Sequence, residues 1–281
     1  MKTVSTVSGV REVVRHWQSK GLRVGLVPTM GFLHDGHLSL MRLALSRCDK
    51  LVVSIFVNPL QFSPDEDLSI YPRDVAGDSQ KCAETGVSLL YMPKVSSGSE
   101  SFYPEDFTTS VTVADVTSGL CGITRSIHFK GVTTVVARLF GVVQPSVAVF
   151  GQKDYQQLAV IRRMVRDLAM PIEILGAPLV READGLAMSS RNSNLSANGR
   201  ERAVSLSKAL LAILNSSESS VPKLLKLGRE NLDIDKFDYL EIVDPVSLDP
   251  IYSVDRESPN ARAMVAGVID GVRLIDNMEI T

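Results

Sequence analysis

The junction between Leu22-Arg23-Val24-Gly25-Leu26-Val27 and Leu38–Leu45 constrains this chain most. The first run predicts a buried parallel strand, and Leu38, Leu40, Met41, Leu43, Ala44 and Leu45 recur roughly as one helical face would. Between them lies Pro28-Thr29-Met30-Gly31-Phe32-Leu33-His34-Asp35-Gly36-His37. A glycine-bearing turn there lets the backbone approach an anion, while the helix N-terminus supplies free N–H groups and a positive dipole. His34 and His37, three apart, add ring donors that face one way once the helix has begun. The segment reads as a phosphate site. By itself the histidine pair also fits exposed polar residues or half of a metal site. The sequence has no His-Glu-x-x-His, Gly-x-Gly-x-x-Gly or Gly-x-x-x-x-Gly-Lys-Ser/Thr motif, which argues against a zinc protease, a dinucleotide dehydrogenase and a P-loop enzyme.

Strand-like runs recur at Leu51–Val57, Val87–Tyr91 and Val147–Phe150 with amphipathic segments between them, a βαβ rhythm. It predicts a parallel sheet covered on both faces, with ligands beyond the carboxyl ends of its strands. After about Pro178 the rhythm changes to a polar loop, a helix-like Ala197–Leu214, a serine-rich break at Ser216–Ser220, another helical stretch, and strand-like Tyr239–Val243 and Ala261–Ile269. The serine break reads as an interhelix loop. We therefore expect an α/β protein, with a Rossmann-like domain over residues 1–178 and a smaller α+β domain over residues 179–281.

At 281 residues the chain is long enough for one large or two ordinary domains, and 44% hydrophobic with 22% charged residues indicates a globular protein. A net charge of -2 gives no support to a nucleic-acid partner and points to small molecules. Cys48, Cys82 and Cys121 are scattered and lack Cys-x-x-Cys spacing, as expected of thiols in a reducing compartment. Arg11, Arg15 and His16 interrupt the early apolar positions, and Arg138, Gln144 and Pro145 interrupt Val132–Phe150. Neither a leader nor a membrane span is predicted, so the expectation is cytoplasmic.

Further segments carry chemistry. In Asn58-Pro59-Leu60-Gln61-Phe62, Pro59 ends sheet pairing, and the Asn58 and Gln61 amides offer donor and acceptor to a hydroxy acid. In Phe150-Gly151-Gln152-Lys153-Asp154-Tyr155-Gln156-Gln157, Gly151 permits close approach and Lys153 offers a point charge. There Asp154 caps a helix or takes a ribose hydroxyl, and Gln157 lies about one turn beyond Lys153. Met188-Ser189-Ser190-Arg191-Asn192 combines hydroxyls with a fixed cation, as a phosphate site or a polar loop would. Arg125, His128 and Lys130 fit a second basic cluster or a solvated helix entrance.

Together these motifs, with Arg273-Leu274-Ile275-Asp276-Asn277, resemble the pantoate–β-alanine ligases of the nucleotidyltransferase-like superfamily over most of the chain. The resemblance implies ATP-dependent condensation of pantoate with β-alanine through pantoyl adenylate, giving AMP and pyrophosphate, on a nucleotidyltransferase-type sheet. It implies that Met30, Gly31, Phe32, Leu33, His34, Asp35, Gly36 and His37 hold ATP, with both histidines at its phosphates. Gly151, Gln152, Lys153 and Asp154 would hold nucleotide, Val180 would meet adenine through its backbone, and Met188, Ser189, Ser190 and Arg191 would close on the phosphates. His34, His37, Lys153 and Arg191 would supply catalytic positive charge, while Gln61, Gln157 and Asn58 would bind pantoate or β-alanine. Mg²⁺ is implied with ATP, without an identified protein ligand, as are a homodimer and a lid role for residues 179–281.

Two departures from the family pattern stand out. Ser126-Ile127 replaces Pro-Gly between Arg125 and His128, and Asn194 replaces a tyrosine. Two other functions compete: a nucleotidyltransferase that leaves AMP on a phosphorylated acceptor, and a nucleotide-binding regulator without turnover. The paired glutamines weigh against the first, and the retained cations against the second.

Overall fold

The computed structural model describes residues 1–63, 68–94, 101–255, 257 and 260–280. Along the chain run β1 (Lys2–Val4), α1 (Val7–Gln18), β2 (Val24–Thr29), α2 (Asp35–Leu45), β3 (Lys50–Ile55), α3 (Val75–Thr85), β4 (Leu89–Tyr91), α4 (Cys121–Thr124), α5 (His128–Val143) and β5 (Val147–Gly151). There follow α6 (Tyr155–Asp167), β6 (Glu173–Ala177), α7 (Ala197–Ala203), α8 (Ser205–Leu214), α9 (Val221–Arg229), β7 (Lys236–Val243), β8 (Ala261–Ile269) and β9 (Val272–Ile280). The chain gathers into two units, one of Met1–Val113, Arg125–Gln152 and Val160–Pro178, the other of Ala114–Thr124, Lys153–Ala159 and Leu179–Thr281. Lys153, Asp154 and Gln157 thus pack with the second unit, although they precede residue 178.

The first unit is an α/β sheet in the order β1-β4-β3-β2-β5-β6, parallel throughout. Its central strands are buried almost continuously, as expected where helices cover both faces. Val27, Leu51, Val53, Leu90 and Val149 meet Leu40, Met41 and Ala44 of α2 and Cys82 of α3. Burial next to Asp78 pushes the Cys82 thiol up to about 12, so it is an uncharged packing group. From β2 the chain passes to β3 on one side and reaches β5 on the other, so the ends of β2 and β5 flank a topological switch point, where α/β sheets bind ligands.

Strand β2 runs through Pro28 and Thr29, two residues further than the apolar run predicts. Pairing with β5 stops at Leu26↔Ala148, so the missing N–H of Pro28 falls beyond that ladder, while its pairing with Ser54 of β3 continues. Periodicity alone does not announce β1, β6 or β9. β1 and β6 take their pairing from β4 and β5, distant in sequence, whereas β9 carries polar residues along its length and pairs with β8 across Asp270-Gly271, a hairpin signal that sequence reasoning missed.

The second unit packs α7, α8 and α9 with an antiparallel sheet β7-β8-β9 over Leu206, Leu210, Ile213, Leu224, Leu240, Val265 and Leu274. The expected helix over residues 197–214 is two helices that meet at Val204. Asp270 and Gly271, at φ 53° and 75°, form the two-residue turn between β8 and β9. Gln156 fixes the early segment of this unit: its carbonyl accepts from the Cys121 N–H at 3.0 Å, and its amide donates to the carbonyls of Val116 and Gly119. Among the described residues no helix is long and apolar enough to cross a membrane.

Helix α5 abuts the 3-10 turn Pro59–Gln61 at Gly131, where a Cβ would stand 2.2 Å from the Leu60 carbonyl oxygen and 2.5 Å from the Gln61 nitrogen. Gly141 in the same helix faces open space. Gly131→Ala should therefore destabilise by about 1–3 kcal/mol through overpacking, whereas Gly141→Ala should stabilise by about 0.5–1 kcal/mol through helix propensity. Urea midpoints of the two variants should move in opposite directions.

Candidate active site

After β2 the backbone turns through Gly31 (φ 86°) and Phe32 (φ 52°), two successive left-handed residues. One buried carboxylate holds this turn: Asp78 of α3 accepts from the Phe32 N–H at 2.8 Å and the Leu33 N–H at 2.7 Å. Lys81, one helical turn on, donates to the Leu33 carbonyl at 2.7 Å. At Gly31 a Cβ would crowd Asp78 and Ile55 at 3.0 Å each, so both φ and space call for glycine.

His34 follows in extended conformation as the N-cap of α2, and exposed Asp35 sits in the first turn, where the dipole favours negative charge. The His34 N–H donates to His37 Nδ1 at 3.3 Å, and the two rings lie 4.1 Å apart. With Nδ1 accepting, a neutral His37 carries its proton on Nε2, so that nitrogen is the donor. A cavity of about 600 Å³ opens beyond the carboxyl ends of β1, β2, β3 and β4, with Val4, Met30, Gly31, Phe56, Asp78 and Lys94 in its wall; Met30 and Gly31 of the expected site residues line it, and His34, His37, Asn58 and Gln61 do not. That volume suits a small ligand.

Asn58 and Gln61, both buried, form one polar chain. Asn58 Oδ1 accepts from the Tyr103 hydroxyl at 2.9 Å and the Leu60 N–H at 3.3 Å. Asn58 Nδ2 donates to Gln61 Oε1 and the Gly131 carbonyl, each at 3.1 Å. Gln61 Nε2 is thereby left as the donor, and it donates to Met30 Sδ at 3.1 Å. Burial raises the pKa of the Tyr103 hydroxyl well above its ordinary range, against the opposing charge of Arg138, so at neutral pH it remains a donor.

Arg125 and His128 are not a solvated helix entrance. His128 is buried, its Nδ1 lies 3.0 Å from the Gln61 carbonyl, and Arg125 Nη2 is 3.5 Å from the same oxygen. The turn closes without Pro-Gly, through the His128 N–H to the Arg125 carbonyl at 3.0 Å.

A 3-10 turn over Gln152–Asp154 leads into α6, and Lys153 Nζ lies 3.7 Å from the half-exposed Asp154 carboxylate. The Lys153 carbonyl accepts from Asn277 Nδ2 at 2.9 Å. Val180 accepts the Met188 N–H through its carbonyl, which closes a short loop, and Ser189 Oγ accepts from the Arg191 N–H. Asn192 holds Glu182 and the Ala187 carbonyl, and Asn194 lies in the 3-10 turn Ser190–Asn194. Arg181 binds buried Asp276 through both guanidinium nitrogens at 2.7 and 2.9 Å.

The structure thus brings together Met30, Asn58 and Gln61, and pairs His34 with His37. It places Gln157, partly buried, on α6 in the same unit as Lys153 and Arg191. Sequence reasoning missed Asp78, Tyr103 and Arg181. The spacing from Phe32 to Asp78, or from Asn58 to Tyr103, carries no local signal, and these contacts exist only after folding.

The family model described as pantoate-beta-alanine ligase matches residues 2–279. Pantothenate synthetase from Rhodospirillum rubrum is 49% identical over 280 residues, covering 98% of this chain and 97% of that protein. The chain belongs to the pantoate–β-alanine ligase family. The ligase is also similar to pantothenate synthetase 1 of Bradyrhizobium diazoefficiens, 46% identical over 100% of this chain and 99% of the other. Among solved structures, pantothenate synthetase from Thermus thermophilus superposes with a TM-score of 0.91 at 48% identity, covering 100% of this chain and 99% of that one. The pantoate-beta-alanine ligase of Francisella tularensis, complexed with beta-gamma ATP and beta-alanine, gives a TM-score of 0.79 at 30% identity, covering 99% and 97%.

Tyr103→Phe removes one donor to buried Asn58 and should destabilise by about 1 kcal/mol. A lowered urea midpoint at unchanged m-value checks this.

Arg181 is partly exposed and Asp276 is buried, so Arg181→Ala, which strands the buried charge, should destabilise more than Asp276→Ala, by about 3–5 kcal/mol. Burial already raises the Asp276 pKa against the pull of Arg181, and loss of the guanidinium raises it further. The folded variant then binds a proton more readily than the unfolded chain. Its stability is retained below the ordinary carboxylate range and lost as pH rises through the raised value. Urea melts at about pH 4.5 and about pH 8 should show the smaller deficit at the lower pH.

Proposed function

We propose that this chain condenses pantoate with β-alanine, using ATP and passing through pantoyl adenylate. Family membership over residues 2–279 carries this reading, and the His34–His37 cap gives it a physical basis. In the first step a pantoate carboxylate oxygen attacks the α-phosphorus, the bond to the bridging oxygen breaks and pyrophosphate leaves. In the second, the neutral β-alanine amine attacks the acyl carbon, the bond to AMP breaks and the amine sheds a proton to solvent. Neither step requires a protein nucleophile.

Catalysis then rests on alignment and on positive charge where the departing pyrophosphate gains negative charge. We assign His37 Nε2–H, His34, Lys153 and Arg191 to the phosphates. The turn from Met30 to Gly36 approaches the nucleotide through its backbone, with Gly151, Gln152, Asp154, Met188, Ser189 and Ser190 as further ATP contacts and Val180 as a backbone contact to adenine. Gln61, Gln157 and Asn58 are assigned to pantoate and β-alanine. The Gln61 NH₂ group, whose hydrogen bond in the structure is to the weak acceptor Met30 Sδ, suits a hydroxyl or carboxylate oxygen without neutralising the nucleophile.

We also propose Mg²⁺ as the companion of ATP; when bound it would offset charge on the phosphates. We further propose a homodimer in the cytoplasm, and exclusion of water from the mixed anhydride by the lid role of residues 179–281.

AMP formation from ATP that requires both pantoate and β-alanine tests the function. Adenylyl transfer to a phosphorylated acceptor would instead identify a nucleotidyltransferase, and binding without turnover a regulator. Lys153→Ala should cut pantoate-dependent pyrophosphate exchange at least 100-fold, about 2.7 kcal/mol of transition-state stabilisation, without shifting the melting midpoint. Gln61→Ala and Gln157→Ala should each raise the pantoate requirement in single-turnover adenylate formation while calorimetric ATP affinity stays near wild type.

A further inference from the structure

Lys153 is anchored by its backbone, and the anchor is strand β9. Asn277 Nδ2 donates to the Lys153 carbonyl at 2.9 Å, and Asn277 Oδ1 accepts from Arg262 Nη1 at 2.7 Å. Arg262, on β8, is itself buried. Its guanidinium carbon stands 3.9 Å over the ring of Tyr155, and its Nη2 meets Glu279 at 3.1 Å. Tyr155, two residues beyond Lys153, donates its hydroxyl to the Pro245 carbonyl at 3.0 Å. The start of α6 is thus fixed on both sides of the lysine's neighbour. The residue before Asn277, Asp276, binds Arg181 bidentately, and Arg181 adjoins Val180. Two consecutive buried polar residues therefore hold two chain segments that lie more than twenty positions apart.

We propose that Asp276 and Asn277 are positioning residues for adenylation: Asn277 sets the backbone of Lys153, Asp276 sets the Val180–Arg181 segment, and one strand fixes the spacing between them. The proposal rests on the assignment of Lys153 to the ATP phosphates. Its chemical basis is the polarity of the Asn277 amide. Arg262 can only donate, so it fixes Oδ1 on its own side and leaves the NH₂ group for the Lys153 carbonyl. Misplacing a charged group by about 1 Å costs on the order of 100-fold in rate.

Asn277→Asp separates this role from support of the fold. The carboxylate keeps, and strengthens, the acceptor that Arg262 needs, but it has no donor for the Lys153 carbonyl. The enzyme's two half-reactions supply the readout: pyrophosphate exchange with pantoate reports adenylation, and aminolysis of supplied pantoyl adenylate by β-alanine reports the second step. The expected result is adenylation slowed roughly 10- to 100-fold, aminolysis within about twofold of wild type, and a melting midpoint lowered by no more than a few degrees. Wild-type adenylation, or equal loss in both half-reactions, overturns the proposal. If Asn277→Asp does not fold, Asn277→Ala, which is neutral and smaller, takes the same split measurement with the same criteria. Lys153→Ala runs alongside. Full exchange in that variant overturns the assignment of Lys153, whereas loss there with normal exchange in the Asn277 variants overturns only the brace.

Discussion

Two amide hydrogens, those of Phe32 and Leu33, are held by one buried carboxylate, and the geometry around β2 depends on that clamp. A left-handed Phe32 after a left-handed Gly31 is costly backbone, and it persists only where its surroundings over-determine it. Asp78 supplies that constraint with two charge-assisted bonds, and Lys81 adds a third contact from the same helix. With the turn fixed, His34 falls at the N-cap and α2 begins at Asp35, its free N–H groups at the end of a central strand.

The same logic governs the amides. A buried Asn or Gln side chain can face two ways, and only its partners decide which. At Asn58 the decision comes from Tyr103, a hydroxyl that burial keeps protonated and donating. It passes through Asn58 to Gln61, whose carbonyl oxygen is occupied and whose NH₂ group faces Met30 Sδ. His37 is settled by similar means, because a backbone N–H on Nδ1 leaves the ring proton on Nε2. In each case a residue type that the sequence names becomes a donor of defined direction only through a neighbour.

Much of the fold was legible in order. The β2–α2 junction, the runs that became β3, β4 and β5, and the change of character after Pro178 are periodicities of 2, 3.6 or continuous burial, which depend on residues close in sequence. The short β1 and the mixed β6 carried no such pattern, because their strand state comes from ladders with β4 and β5, whereas β9 was signalled by the Asp270-Gly271 turn that pairs it with β8. The split at Val204 and the extension of β2 through Pro28 followed from packing and from where the β5 ladder ends.

The sequence by itself determined the chemical inventory: a glycine turn with two histidines after a buried strand, two glutamines, a lysine after another strand end, and a hydroxyl-arginine loop. Covalent order suffices for these, since each motif lies within about ten residues. Only the tertiary structure decided which carboxylate holds the turn, which way the Asn58 and Gln61 amides face, and what secures Lys153. Asp78 is 45 residues from Leu33, Tyr103 is 45 from Asn58, and Asn277 is 124 from Lys153. Partners so far apart are chosen by sheet order and helix packing, which bring their backbones within hydrogen-bonding distance, and no local pattern encodes that meeting.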